Sequence, residues 1–244
     1  MVDTLTQPPT ATTEATEEWQ PSPPPTDLVF DDGEPLESSR HRLAMNLLIA
    51  SYRHYRQNET DFYTGGNMFL YYSTTQVKNK DFRGPDFFVV LDVDGEKERQ
   101  GWVLWEEGGR YPDMIVELMS LSTAKIDVTV KKDLYERVFK TENYFVYNPF
   151  DETSLQGWHF QGKYQPIEAD DRGWLWCASL GLWLGTWQGT IDGVTCQWLR
   201  FYHRDGSLVL LPSEDALQLA EAEAQRAERL AARLRELGVD PDAI

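Results

Sequence analysis

Cysteine is nearly absent. Cys177 and Cys196 are the two in 244 residues, and they form neither a C-x-x-C pair nor a zinc pattern. A disulfide framework is excluded, and two reduced core thiols of a cytosolic protein are expected. No apolar run approaches the ~20 residues of a membrane-spanning helix. The first 18 residues are polar and acidic, unlike a secretory signal or a basic transit peptide. Basic residues are scarce as well. Lys and Arg number 23 against 40 acids, for a net charge of −17. Broad surface binding of nucleic acid by charge alone is therefore disfavoured. The acidity is concentrated at the ends: residues 1–40 carry −8, residues 213–244 carry −4, and 41–212 only −5. No tandem repeat is present in between.

What the chain has is enough apolar material for a core, 41% hydrophobic with nine Trp and eleven Tyr. Residues 1–27, with the run Pro21-Ser22-Pro23-Pro24-Pro25, read as a disordered acidic tail. Residues 28–212 read as one folded domain. Within it, Asp32-Gly33 signals a turn, and Ser38 and Ser39 can cap a helix over roughly 40–57. Strands are expected at 67–72 and 87–91, with 102–105 as a short hairpin arm. The apolar run Met114–Met119 predicts a strand buried on both faces. A helix is expected over 125–140, then a strand at 144–147. The Trp-rich, Gly-punctuated segment 155–211 reads as a β-meander extending or covering the core sheet. The aromatics of 158–198 suit packing better than base stacking, because only Lys163 and Arg172 interleave them. Residues 213–244 read as a charged helix with a short stripe of Leu230, Leu234 and Leu237. A coiled coil is one reading of it, although the earlier seam positions are mostly Ala and Glu. The fold class is α/β, in the sense of an α+β mixed sheet.

Glu117 stands out as an acid inside an apolar strand, and buried acids are rare. Asp86 opens the preceding core strand. If the two strands are neighbours ~4.8 Å apart, these carboxylates converge. They would repel unless one is protonated or a cation neutralises them. Oxygen donors suit Mg²⁺ or Mn²⁺, with the Leu118 backbone carbonyl a plausible third ligand. Lys131 on the next helix could position a water or stabilise phosphate charge. Blander readings stand beside these: turn chemistry after proline for Asp86 and Asp113, an ion-paired acid for Glu117, a solvated helix face for Lys131 and Lys132.

Pro85-Asp86, then Tyr111-Pro112-Asp113-Met114-Ile115-Val116-Glu117-Leu118-Met119-Ser120-Leu121-Ser122-Thr123, resembles the Uma-two family, a branch of the PD-(D/E)xK nucleases. Asp127, Lys131 and Tyr135 match that family's four-residue steps, and Tyr144-Phe145-Val146-Tyr147-Asn148-Pro149 matches its following strand. The resemblance covers roughly 28–212. It implies a restriction-endonuclease-like core, a divalent metal and hydrolysis of DNA phosphodiesters. It also implies a homodimer or higher oligomer, since two strands must be cut. Leu121 replaces the family's Pro, and Met119 stands where the superfamily places Lys. In this family the lysine sits on the helix, which makes Lys131 the candidate. Asp127 and Tyr135 would orient it, although Tyr135 suits a core equally well. Glu34 or Glu37 would supply a further acid, with His41 nearby. Arg40, Arg42, Arg53 and Arg56, and Lys125, Lys131, Lys132 and Lys140, offer a phosphate track or merely solubilise two helices. The rival reading keeps the nuclease fold as a catalytically silent binding or assembly module.

Overall fold

The computed structural model describes residues 23–26, 28, 38–75, 84–120, 122–237 and 240. The expected tail and the Asp32-Gly33 turn lie almost wholly outside the described residues. The first helix, α1 (Ser39–Tyr55), starts where the Ser38 hydroxyl accepts the His41 amide. Its apolar positions Ala44, Leu47, Leu48 and Tyr52 fall on one buried face.

A six-stranded sheet forms the centre. Its strands are β1 (Phe62–Gly65), β3 (Phe87–Leu91), β5 (Met114–Leu118), β6 (Asn143–Asn148), β7 (Asp151–Phe160) and β8 (Tyr164–Pro166), in that spatial order. All neighbours run antiparallel except β5 and β6. A parallel pair needs a crossover of a dozen or more residues. Here the crossover is α2, a continuous helical run over 124–139. Two of its stretches, Asp127–Lys131 and Tyr135–Phe139, are wound as wide π turns. Such turns are often found at functional sites.

The side-chain alternation of the strands sorts the core into two layers. Phe87, Val89, Met114, Val116, Leu118, Phe145 and Tyr147 pack with α1 and a second sheet. That sheet is β9 (Leu175–Cys177), β10 (Leu182–Ile191) and β11 (Val194–Tyr202), all antiparallel. Phe88, Val90, Ile115, Tyr144 and Val146 pack on the opposite face with Tyr135 and Phe139 of α2. Each fully buried side chain of this size contributes about 1.5–3 kcal/mol. The meander therefore does both things expected of it: β7 and β8 extend the central sheet, while β9 to β11 cover one face. Cys177 is buried there and Cys196 partly so, both as free thiols.

Three strand expectations need correction. β1 was not anticipated, although Phe62-Tyr63-Thr64 is β-prone. Its last residue is glycine because a Cβ on Gly65 would run into the Phe88 ring. The strand expected at 67–72 shrinks to β2 (Leu70–Tyr71), because Asn67 turns the chain at φ 47°. The expected hairpin arm is instead β4 (Trp102–Val103), paired in parallel with β2 and followed by a single 3-10 turn, Leu104–Glu106. Burial of Trp102 decides this. Its indole donates to the Arg110 carbonyl at 2.8 Å, and the Arg99 guanidinium covers its ring at 5.0 Å.

The last helix, α3 (Pro212–Glu236), opens with proline at its first position. Beyond its first turn it is almost entirely exposed. No described helix is long and apolar enough to cross a membrane.

α2 ends at Lys140, whose φ of 54° is left-handed. Lysine pays about 1–2 kcal/mol for that conformation and glycine does not. Lys140 is exposed, so Lys140→Gly loses no packing. We expect it to raise the melting temperature by about 2–4 °C, for a gain of about 1 kcal/mol. An unchanged or lower melting temperature in calorimetry would contradict this account of the cap.

Candidate active site

Glu117 points toward α2, on the same side of the sheet as Ile115. Asp86 has the same parity as Phe88 and Val90, so it shares that side. The antiparallel register pairs Phe87 with Val116, which sets Asp86 opposite Glu117. The Leu118 amide donates to Asp86 Oδ2 at 2.8 Å. In an extended strand a residue's N–H and C=O face the same edge. The Leu118 carbonyl therefore opens toward Asp86, past the point where β3 begins.

The crossover helix supplies the other groups. Glu117 is fully buried and each of its oxygens is taken. Lys131 Nζ lies 2.9 Å from Oε2, and the Tyr135 hydroxyl donates to Oε1 at 2.7 Å. Lys131 Nζ also lies 2.9 Å from Asp127 Oδ1, one turn back along α2. The Tyr144 hydroxyl donates to the Asp127 carbonyl at 2.9 Å. This last contact fixes the first wide turn of the helix, and nothing in the sequence pattern announces it.

The electrostatics follow from crowding three carboxyls around one ammonium in a dry place. Burial first, and the Glu117 charge second, push the Asp86 carboxyl well above its ordinary range; Lys131 and the Leu118 amide only partly offset this. Asp86 is therefore the carboxyl of the cluster that resists ionisation. Asp127 is also raised, by burial and then by Glu117. Burial alone would lower the Lys131 ammonium, but Glu117, Asp127 and Asp86 hold it above its usual value, so it stays charged. Tyr135 is pushed far up, chiefly by burial, and stays protonated as a donor.

The remaining sequence candidates fall elsewhere. Asp113 lies four residues back along β5, ~13 Å from Glu117. It accepts the Leu91 amide at 2.8 Å and pairs with Arg110 at 3.3 Å, which is strand-start chemistry. His41 is buried behind β5 rather than among the carboxyls. Its Nε2 donates to the Met119 carbonyl at 3.2 Å, and its Nδ1 lies 2.8 Å from the Ser38 hydroxyl. Glu34, Glu37 and Leu121 lie outside the described residues. The expected phosphate track is reduced. Arg53 donates to Thr64, Arg56 pairs with Asp61, and Lys132 sits 4.8 Å from the Trp158 ring centre. Arg42, Lys125 and Lys140 remain exposed.

A divalent cation fits this donor set in part. Two carboxyl groups set opposite each other, one of them resisting ionisation, are a natural place for a hard cation to neutralise. Among the described residues no group of three His, Cys, Asp or Glu side chains is placed to hold a metal. Backbone and water oxygens would have to complete the shell.

Comparison with curated proteins finds no match. One solved structure, titled a "putative nuclease belonging to DUF820" from Anabaena variabilis, aligns with a TM-score of 0.43 and 13% identity, covering 60% of this chain and 76% of its own. A family model, Uma2, described as "Putative restriction endonuclease", matches residues 13–191. That span takes in Asp86, Glu117, Asp127, Lys131 and Tyr135 together with the strands and crossover helix that assemble them, and the chain belongs to the Uma2 family.

Proposed function

We propose that the protein is a metal-dependent endonuclease that hydrolyses DNA phosphodiester bonds, working at Asp86, Glu117 and Lys131. The observation that carries this is Asp86 set opposite the fully buried Glu117 across β3 and β5, with the Leu118 amide 2.8 Å from Asp86 and Lys131 Nζ 2.9 Å from Glu117. Asp86, Glu117 and the Leu118 carbonyl would hold Mg²⁺ or Mn²⁺. Such an ion, when bound, polarises a phosphate oxygen and lowers the pKa of a coordinated water. The chain's own residues do the rest. Tyr135 fixes one Glu117 oxygen, leaving the carboxyl a single orientation. Asp127 steers the Lys131 ammonium and keeps it charged beside the carboxylates. Lys131 then meets the negative charge that develops on phosphate in the transition state. Family membership supports the nuclease class. The metal, the choice of DNA and a homodimer able to cut both strands are part of the proposal.

Calorimetric titration of Mg²⁺ or Mn²⁺ into the wild-type protein, with plasmid nicking on the same samples, tests the reading. Binding together with metal-dependent nicking is expected. A protein that binds neither ion and nicks nothing would return the fold to its rival role as a silent scaffold. Lys131→Ala separates the roles. It should slow nicking about 10²–10³-fold, the usual loss for one transition-state donor, while Mg²⁺ still binds. Lys132→Ala should nick like wild type; damage there with a neutral Lys131→Ala would reverse the assignment.

A further inference from the structure

A second feature lies just beyond the carboxyl cluster. A cavity of about 910 Å³ opens at the carboxyl ends of β5 and β6. Its walls among the described residues include Ser38 and His41, Ser122, and Asn148, Phe150 and Asp151 of the β6–β7 turn. That volume is within the range of sites for small organic groups. β6 runs parallel to β5 with Glu117 beside Val146. Asn148 is therefore only two residues, ~7 Å, further along than the catalytic carboxyls.

The chemistry of the walls selects an occupant. Phe150 is a large aromatic left 59% exposed, at odds with a purely packing role. Its ring is steadied by the Arg40 guanidinium at 4.3 Å and by His41 at 5.8 Å between ring centres. Arg40 is itself tethered to the Pro149 carbonyl at 3.3 Å. The Asn148 carboxamide oxygen accepts from the Phe150 amide at 2.9 Å, and its NH₂ has no partner among the described residues. The Asp151 carboxyl is held below its ordinary range by the Thr153 hydroxyl and amide, so it is charged. A flat, uncharged group with amino donors and an open π face suits an aromatic platform, an amide donor and a carboxylate acceptor together. A nucleobase is such a group.

We propose that this cavity receives the nucleobase adjoining the scissile phosphate, stacked on Phe150, so that the substrate is an unpaired or extruded nucleotide. The proposal rests on the nuclease reading for the position of that phosphate. A base paired inside a duplex cannot enter a walled cavity without leaving the stack.

The test is fluorescence anisotropy in EDTA with a labelled mixed-sequence DNA single strand and the same sequence as a blunt duplex. Wild type should prefer the single strand. Phe150→Ala should weaken single-strand binding about tenfold, the usual effect of losing one stacking partner, and change duplex binding by less than about twofold. Phe150→Trp should restore it. Absent single-strand binding by wild type, an unchanged affinity in Phe150→Ala, or equal losses on both probes would overturn the proposal. Plasmid nicking on the same samples keeps the two readings apart. Metal-dependent nicking with no Phe150 effect on single-strand binding sinks the cavity alone. Selective single-strand loss without any nicking by wild type sinks the nuclease reading, and with it the scissile phosphate, while Phe150 stands as a base-stacking platform.

Discussion

Glu117→Ala is expected to produce no detectable heat on Mg²⁺ titration and no metal-dependent nicking, in a protein that still folds. Glu117 stands at the centre of the cluster: Asp86 lies opposite it across the strands, and Lys131 and Tyr135 reach its two oxygens from the crossover helix. Removing it leaves Asp86 as the single strand-borne carboxyl, too few oxygens for a hard cation in a dry setting. The fold should survive because Lys131 keeps Asp127 as its counter-ion at 2.9 Å. The Tyr135 hydroxyl loses its acceptor, at a cost of about 1–3 kcal/mol. Glu117→Gln separates charge from shape, since the amide oxygen can still accept from Tyr135. It should fold better than the alanine variant and be equally inactive. Wild-type nicking by either variant, with wild-type metal affinity, would remove Glu117 from the site. A variant that is inactive but also unfolded by circular dichroism decides nothing for Glu117→Ala, which is why the isosteric Gln variant carries the test.

Glu117 was legible in the sequence for a physical reason: an acid in the middle of an apolar strand has to be compensated. Which groups compensate it came from the resemblance, which singled out Asp127, Lys131 and Tyr135 on the next helix. Asp127, Lys131 and Tyr135 lie on one side of α2 because successive steps of four stay on a helix face. Asp86 converges because a strand that opens at Pro85 pairs antiparallel with β5. The illegible parts depend on tertiary contacts. Nothing local marks Trp102–Val103 as the parallel partner of Leu70–Tyr71, since that pairing follows from sealing Trp102 under Arg99. Asp113 looked like Asp86 in sequence, each an acid after proline. Strand direction placed one beside Glu117 and the other at the far end of β5. The cavity under Phe150 was invisible because its walls come from the start of α1, the approach to α2 and the β6–β7 turn.

The Arg200–Glu214 pair carries the largest expected effect on stability. Arg200 is completely buried on β11, an extreme position for a guanidinium. The Glu214 carboxylate meets it in a two-pronged pair, at 3.1 and 2.7 Å, and the Val209 carbonyl accepts a further bond at 3.0 Å. Glu214 also accepts the Leu211 amide at 2.8 Å, so one side chain caps α3 and pins it to the second sheet. Breaking a buried pair leaves an uncompensated charge, worth about 3–5 kcal/mol. Glu214 is partly exposed, so the lower end applies. Glu214→Gln, which retains the capping oxygen, should lose about 3 kcal/mol and melt about 6–12 °C lower. Arg200→Met should cost less than Glu214→Gln, because it buries no orphaned cation, and the double variant should resemble Arg200→Met alone. The pH dependence follows from the same pair. Burial opposes ionisation of Glu214, but Arg200 and the Leu211 amide outweigh it and hold the carboxyl below its ordinary value. Its stabilisation is therefore present in full above the ordinary glutamate range and is lost as pH falls through the lowered value. Denaturant unfolding from neutral pH to below the glutamate range should show wild type and Glu214→Gln converging as the pH drops. A constant gap between them across that window would mean that the charge pair is not what anchors the helix.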